Sequence, residues 1–283
     1  MDAAEWYGQN DPLDPSEGPD YPVALRPKDI GLNGRKKPKK PPEIVFSEAC
    51  YGAYITGKSL SEAISLQFLN AGSRGVVGST CMSYGSISPP LIAADLLGYL
   101  FWNYVCEGLP AGEALKQAKI SLAYEMNQRQ GYLDGEDQKT LISFVLFGDP
   151  LDKPFNGWNG PKSIQRPIVM DEIETICDRR LETKEVHPIP DEVMVNVKQV
   201  VEKYLPGMTN ADVTFCHERN QCNGAGHSCP TSQKKQSKSS NGNSRRSLVT
   251  LSKTINKSNN NHPNYARLTM NSEGKLVKLV VSR

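Results

Sequence analysis

The sequence predicts an α/β fold in which a parallel sheet carries helices on both faces, followed by a small α+β domain. Three observations lead there. Short apolar runs over 43–47, 74–79 and 141–147 have strand length, and each ends in small or polar residues. Continuous apolar character suits strands buried on both faces. Between the runs lie longer stretches with apolar residues at helical spacing, and strand–helix alternation of this kind implies parallel pairing. Past residue 190 the order changes to one helix and then alternating segments, which fits a separate α+β appendage.

The elements follow in order. Residues 1–42 are rich in proline and contain Gly8, Gly18, Gly31 and Gly34. Proline fixes φ and removes a donor, so an irregular leader is expected rather than regular sheet or helix. Its closing basic cluster, Arg35 to Lys40, is interrupted by Pro38 and has no interleaved aromatics, so it reads as a solvated linker. Residues 43–47 form the first buried strand. Ser59-Leu60-Ser61-Glu62 is a capping box, and Leu60, Ala63, Ile64, Phe68 and Ala71 share one face of the helix expected after it. A second strand over 74–79 runs into a polar loop, Thr80 to Ser86. Pro89-Pro90 open a buried helix reaching about Glu107, and Pro110 opens another over 111–126. A polar loop, Asp134-Gly135-Glu136-Asp137, precedes a third strand over 141–147, which Gly148-Asp149-Pro150 ends. Three strands are few for a sheet covered on both sides, which points to further strands upstream.

The domain organisation that results is an irregular leader over 1–42, the C-terminal part of an α/β domain over 43–155, a linker over 156–190, and a small α+β domain over 191–283. A helix starts at Pro190-Asp191, with Val193, Val197, Val200, Val201 and Tyr204 on a stripe, and a short charged helix is expected over 171–184. Strands are expected over 211–216 and 248–255 and in a hairpin of 265–270 with 275–282. A disordered Ser/Lys/Asn-rich loop is expected near 231–246.

Composition narrows the function classes. The chain has 283 residues, 38% hydrophobic and 23% charged, with a net charge of +2. That balance gives no general attraction to nucleic acid or to acidic membranes. Residues 1–20 are acidic, Pro-rich and lack the apolar core of a signal peptide, and the most apolar run, over 91–106, is shorter than the roughly 20 residues a bilayer needs. The seven cysteines are an odd and uneven set, unlike a disulfide framework.

The chemistry centres on Glu43-Ile44-Val45-Phe46-Ser47-Glu48-Ala49-Cys50-Tyr51-Gly52. An apolar strand stops at a thiol, where open α/β sheets gather their functional groups. A buried structural cysteine is one reading of Cys50. A nucleophile is the other: Ala49, Gly52 and Ala53 leave space around the thiol for a substrate backbone. Nucleophilic use needs a base or a field that favours thiolate, and the neighbouring Glu48 carboxylate opposes an anion.

Phe46-Ser47-Glu48-Ala49-Cys50 resembles the cysteine motif of caspase-like cysteine peptidases. The wider pattern is closer to the gingipain family: Val77-Gly78-Ser79-Thr80, then Ser83-Tyr84 and Ser88-Pro89, then Phe147-Gly148-Asp149-Pro150. The resemblance implies a caspase-like three-layer α/β/α sandwich, here partial, and a cysteine endopeptidase that acts on protein or peptide without a cofactor. It places Cys50 at the nucleophile position, with the Cys50 N–H helping to hold the oxyanion. Ala49, Ser79, Thr80 and Tyr84 fall at substrate-binding positions. Tyr84 would flank the substrate side chain, the alternative being an exposed loop tyrosine. Asp149 would tie down the strand end.

One departure stands out. The family's catalytic histidine precedes the cysteine in a His-Gly dipeptide. The four histidines here, His187, His217, His227 and His262, all follow Cys50, and none precedes a glycine. Met1 to Gln9 resembles the loop that follows the His-Gly element, so the expectation is that the base lies upstream of Met1. The chain alone would then be inactive, or nearly so, as a peptidase. The alternative is a non-catalytic, peptide-binding remnant. A second constellation, Cys216, His217, Cys222, His227 and Cys229, offers five potential metal ligands without tight C-x₂-C pairs. Zinc, a loop disulfide and unpaired loop residues all remain open for it.

Overall fold

The computed structural model describes residues 5–7, 23–30, 40–87, 89–154, 189–217, 247–257, 260–271 and 273–282. The expected helix over 171–184 and the loop near 231–246 lie outside them. The chain divides into two compact units. The first takes Met1–Thr175 with Thr254–Asn264 and Val280–Arg283, and the second takes Ile176–Lys253 with Tyr265–Leu279.

The first unit is α/β. Two short strands, β1 (Trp6–Tyr7) and β2 (Val23–Leu25), pair antiparallel in the leader, where the proline content argued against sheet. Packing explains the difference, because Trp6 and Leu25 sit against a core of Ile30, Val45, Ile64, Phe68 and Val76. The central sheet has the order β3 (Ile44–Ser47), β4 (Gly75–Ser79) and β6 (Phe144–Gly148), with β5 (Tyr84–Gly85) a two-residue strand between β4 and β6 in sequence. β3 and β4 are parallel, Ile44 opposite Gly75 and Ser47 opposite Gly78. β6 runs antiparallel to β4, from Gly75 opposite Gly148 to Ser79 opposite Phe144, so the expectation of a wholly parallel sheet fails at this strand.

Side chains alternate across a strand, so neighbours on β3 serve opposite faces. Val45 joins the core with Ile64 and Phe68 of α1 (Ile64–Asn70). Phe46 turns the other way, its ring 5.3 Å from Phe101 of α2 (Ala93–Cys106) and 5.6 Å from Phe144 of β6. Such ring pairs add about 0.5–1.5 kcal/mol each beyond the area they bury. α2 packs mainly on α3 (Ala111–Gln130), as its apolar circumference requires. Gly131, at φ 81°, closes α3 in the left-handed conformation that glycine adopts without penalty.

Two local expectations are corrected. Glu62 accepts from the Ser59 N–H at 3.0 Å, as a capping box requires, yet the helix starts at Ile64 and Leu60 is exposed. Residues 141–143 are helical rather than extended: α4 (Gly135–Ser143) begins at Asp134, whose side chain accepts from the Asp137 N–H at 3.0 Å. The polar residues taken for a loop are therefore a helix cap, and Ile142 stands 79% exposed.

In the second unit α5 (Asp191–Tyr204) buries Val197 and Val201. The strands that fall wholly or partly in it are β7 (Asp212–His217), β8 (Ser247–Lys257), β9 (Asn260–Met270) and β10 (Leu276–Ser282). They neighbour one another in sequence order, and β7 and β8 are antiparallel, Asp212 opposite Ser252 and His217 opposite Ser247. Among the described residues no helix is long and apolar enough to cross a membrane.

Candidate active site

The site is built from the chain just past β3 and the loop that follows β4. After Ser47 the chain leaves the sheet at Glu48, which is exposed, and turns back at Ala49 and Cys50. The turn is closed by the Gly52 N–H donating to Ala49 O at 3.1 Å. Tyr51 takes φ 59°, in the left-handed region that a non-glycine residue enters at a cost. Gly52 is required by space: a Cβ there would collide with Ser47 Oγ and stand 2.9 Å from Ser47 Cβ. Gly78 on β4 passes less tightly on the other side, where a Cβ would lie 3.2 Å from the Ala53 Cβ. Two small residues thus let the turn lie flat against the neighbouring strand.

The facing loop is stitched to that turn. The Tyr51 N–H donates to Cys81 O at 2.9 Å and the Ala53 N–H to Ser79 O at 2.9 Å. The Ser79 hydroxyl donates to Cys81 O at 2.9 Å, and its oxygen lies 3.0 Å from the Ser143 hydroxyl, from which it can accept. Thr80 reaches the carbonyl of Ser143 twice, from its N–H at 3.0 Å and from Oγ1 at 3.2 Å. Ser79 and Thr80 therefore use their hydroxyls to tie the end of β4 to the end of α4. Further along, Ser86 donates from its N–H and from its Oγ to Asp95 Oδ2, both at 2.7 Å, which fixes the far side of the loop to the first turn of α2.

Cys50 lies within this frame, 9% exposed. Its Sγ accepts from the Ser83 N–H at 3.3 Å and donates to Ser83 O at 3.4 Å. Ser83 Oγ stands 4.0 Å from the sulfur and donates to Glu48 O at 2.6 Å. Tyr84 is buried at 5% exposure, not an exposed loop residue, and Lys139 Nζ lies 5.3 Å from its ring centroid. A cation over a ring face is attracted by the ring's quadrupole. Ala49 is half-buried beside the thiol.

The structure thus brings Cys50, Ala49, Ser79, Thr80 and Tyr84 into one turn-and-loop assembly. Sequence reasoning did not find Ser83 as the residue touching the thiol, nor Asp95 as the anchor of the loop. Both are ordinary polar residues whose partners lie far off in sequence, Ser83 being 33 residues from Cys50. Cys216 and His217 close β7, while Cys222, His227 and Cys229 lie outside the described residues. Among the described residues no group of three or more potential ligands could hold a metal.

Three further polar contacts lie along the strands of the same sheet. Lys40 donates to Glu43 at 2.9 Å and holds that carboxyl below its usual range. Burial lowers the pKa of Lys119, whose Nζ donates to Phe144 O at 2.8 Å where α4 gives way to β6. Asp149 accepts from the Leu151 N–H at 2.9 Å, a local turn that ends β6.

No curated protein and no solved structure matches the chain. A family model does: peptidase family C25 matches residues 33–155. That stretch contains β3, the Cys50 turn, the loop after β4 and the end of β6. Residues 33–155 are thus similar to peptidase family C25, the gingipain family of cysteine peptidases.

Proposed function

We propose that the C25 segment forms the nucleophile half of a cysteine endopeptidase site, with Cys50 as the attacking thiol. The observation that carries this reading is the position of Cys50. It lies three residues past a buried strand, in a turn that Gly52 and Gly78 keep flat, facing a loop whose backbone touches its sulfur. In this reading the thiolate attacks the scissile carbonyl and the Cys50 N–H shares in holding the oxyanion. Tyr84 flanks the substrate side chain and Ala49 leaves room for its backbone. Ser79 and Thr80 shape the pocket through the loop they hold. The fold that goes with this reading is a partial caspase-like three-layer α/β/α sandwich, followed by the small α+β domain.

The stretch 33–155 contains no histidine. A free thiol with an ordinary pKa near 8.5 is only a few per cent thiolate at neutral pH. General-base catalysis contributes about 10²–10⁴-fold, so a site without that group turns over slowly. The chain by itself is therefore expected to be inactive or nearly so. The same observation favours a second reading, in which the site binds peptide without cutting it. Hydrolysis of peptidyl reporters with Arg, Lys or Asp before the scissile bond separates the two. Turnover by the purified chain that is lost in Cys50→Ala establishes a working peptidase, whereas equal background in both proteins favours the binding reading.

A further inference from the structure

We infer that Ser83 is the positioning residue of Cys50, holding the resting sulfur as a neutral, inward-turned thiol until the loop after β4 shifts. The inference rests on the reading of Cys50 as the nucleophile position. Its basis is the pair of contacts that Ser83 makes with one sulfur. The Ser83 N–H donates to Sγ at 3.3 Å, a bond available to thiol and thiolate alike. The Ser83 carbonyl accepts from the S–H at 3.4 Å, a bond that only the protonated form can make. In the thiolate the same carbonyl oxygen would face an anion at van der Waals distance. Burial of the sulfur adds to the preference for the neutral form.

The clamp is held by its own side chain. Ser83 Oγ donates to Glu48 O at 2.6 Å, so one hydroxyl joins the loop to the strand end that carries Cys50. Ser83 is 2% exposed, which shields that bond from water. The other end of the loop is pinned separately, through Ser86 and Asp95. Removing the Ser83 hydroxyl therefore frees the central part of the loop while its far end stays in place. Among the described residues, ionisable groups on these two segments are Glu48 and Tyr51 on the turn and Cys81 on the facing loop. Behind Ser86 and Tyr84 stand Asp95 and Lys139.

Alkylation of the full chain by iodoacetamide, followed peptide by peptide in mass spectra across pH, tests this without any peptidase activity. In the unaltered protein Cys50 should react with a pH midpoint above the ordinary thiol value of about 8.5. Ser83→Ala should speed its reaction at neutral pH by roughly 3–10-fold, the worth of one hydrogen bond. Ser83→Thr, which keeps the hydroxyl, should restore the slow rate. Cys106, half-buried on α2, is the reference within each digest. A midpoint at or below 8.5 overturns the inference, as does a Ser83→Ala rate equal to the unaltered one. Acceleration of Cys106 in parallel also overturns it, because that reports loss of fold and not release of one thiol. If a peptidyl electrophile never labels Cys50 while these results hold, the peptidase reading fails and the clamp stands.

Discussion

Ser83 holds Cys50 through its own backbone, donating from N–H at 3.3 Å and accepting at its carbonyl from the thiol at 3.4 Å. The residue that opposes the candidate nucleophile thus comes from the loop after the next strand, 33 positions away. The geometry of that thiol depends on how closely two backbone segments approach, and several substitutions probe the approach directly.

Gly52→Ala should be the most damaging small change near the site. The new methyl meets Ser47 Oγ and the Ser47 Cβ at 2.9 Å, and the Ala49 carbonyl at 3.1 Å. Two of these three atoms belong to a buried side chain on the sheet, which has little room to yield. Overpacking of this kind costs about 1–3 kcal/mol. Urea unfolding should show the midpoint falling without a change in slope.

Asp95→Ala removes the acceptor for two donors of Ser86, both at 2.7 Å in a buried setting. Leaving a buried donor unsatisfied costs about 1–3 kcal/mol, so a stability loss in that range is expected, together with a loosened loop after β4. Asp95→Asn keeps an acceptor oxygen and should lose less. Thermal unfolding of the two variants side by side gives the order.

Phe144→Ala opens the space between β6 and β3, since Phe144 is fully buried and stacks on Phe46 at 5.6 Å. Truncating a buried phenylalanine costs about 3–5 kcal/mol. Ile142→Ala, two residues earlier and 79% exposed, should change stability by less than about 0.5 kcal/mol. If the two costs prove similar, residues 141–143 are not the exposed end of α4.

Lys119 supplies a pH dependence. Burial lowers its pKa below the ordinary 10.5, so the folded protein releases this proton at a lower pH than the unfolded chain does. Between the lowered value and 10.5 the unfolded chain binds more protons, and stability rises with pH. Lys119→Met should flatten that rise in unfolding measurements on the alkaline side. An unchanged slope would assign it to other groups.

Much of this was legible in the sequence where local pattern and tertiary packing agree. The strand before Cys50 could be read because its apolar run is short and stops at small residues, and β3 covers Ile44–Ser47. The helices α2 and α3 followed from apolar spacing with Gly108 between them. The run over 141–147 misled because six apolar residues around Ser143 suit either state, and the deciding signal was the Asp134 cap seven residues earlier. The leader misled for the opposite reason. Its prolines argue against sheet, but Trp6 gains a core to pack on, and burial outweighs local propensity. Within the site, Cys50 and the loop from Thr80 to Ser86 stood out by residue type. The Ser83–Cys50 contact did not, because it depends on β3 and β4 lying parallel in a register that the sequence does not state.

The central claim is that Cys50 is the thiol of a peptide-binding site. Labelling with a peptidyl acyloxymethyl ketone tests it most directly. At Cys50, Cys81 and Cys106 the labelling rate is divided by the rate with iodoacetamide, which corrects for plain thiol reactivity. The account predicts a much larger ratio at Cys50 than at the other two, one adduct per chain, and no such adduct in Cys50→Ala. Equal ratios at all three cysteines would contradict it.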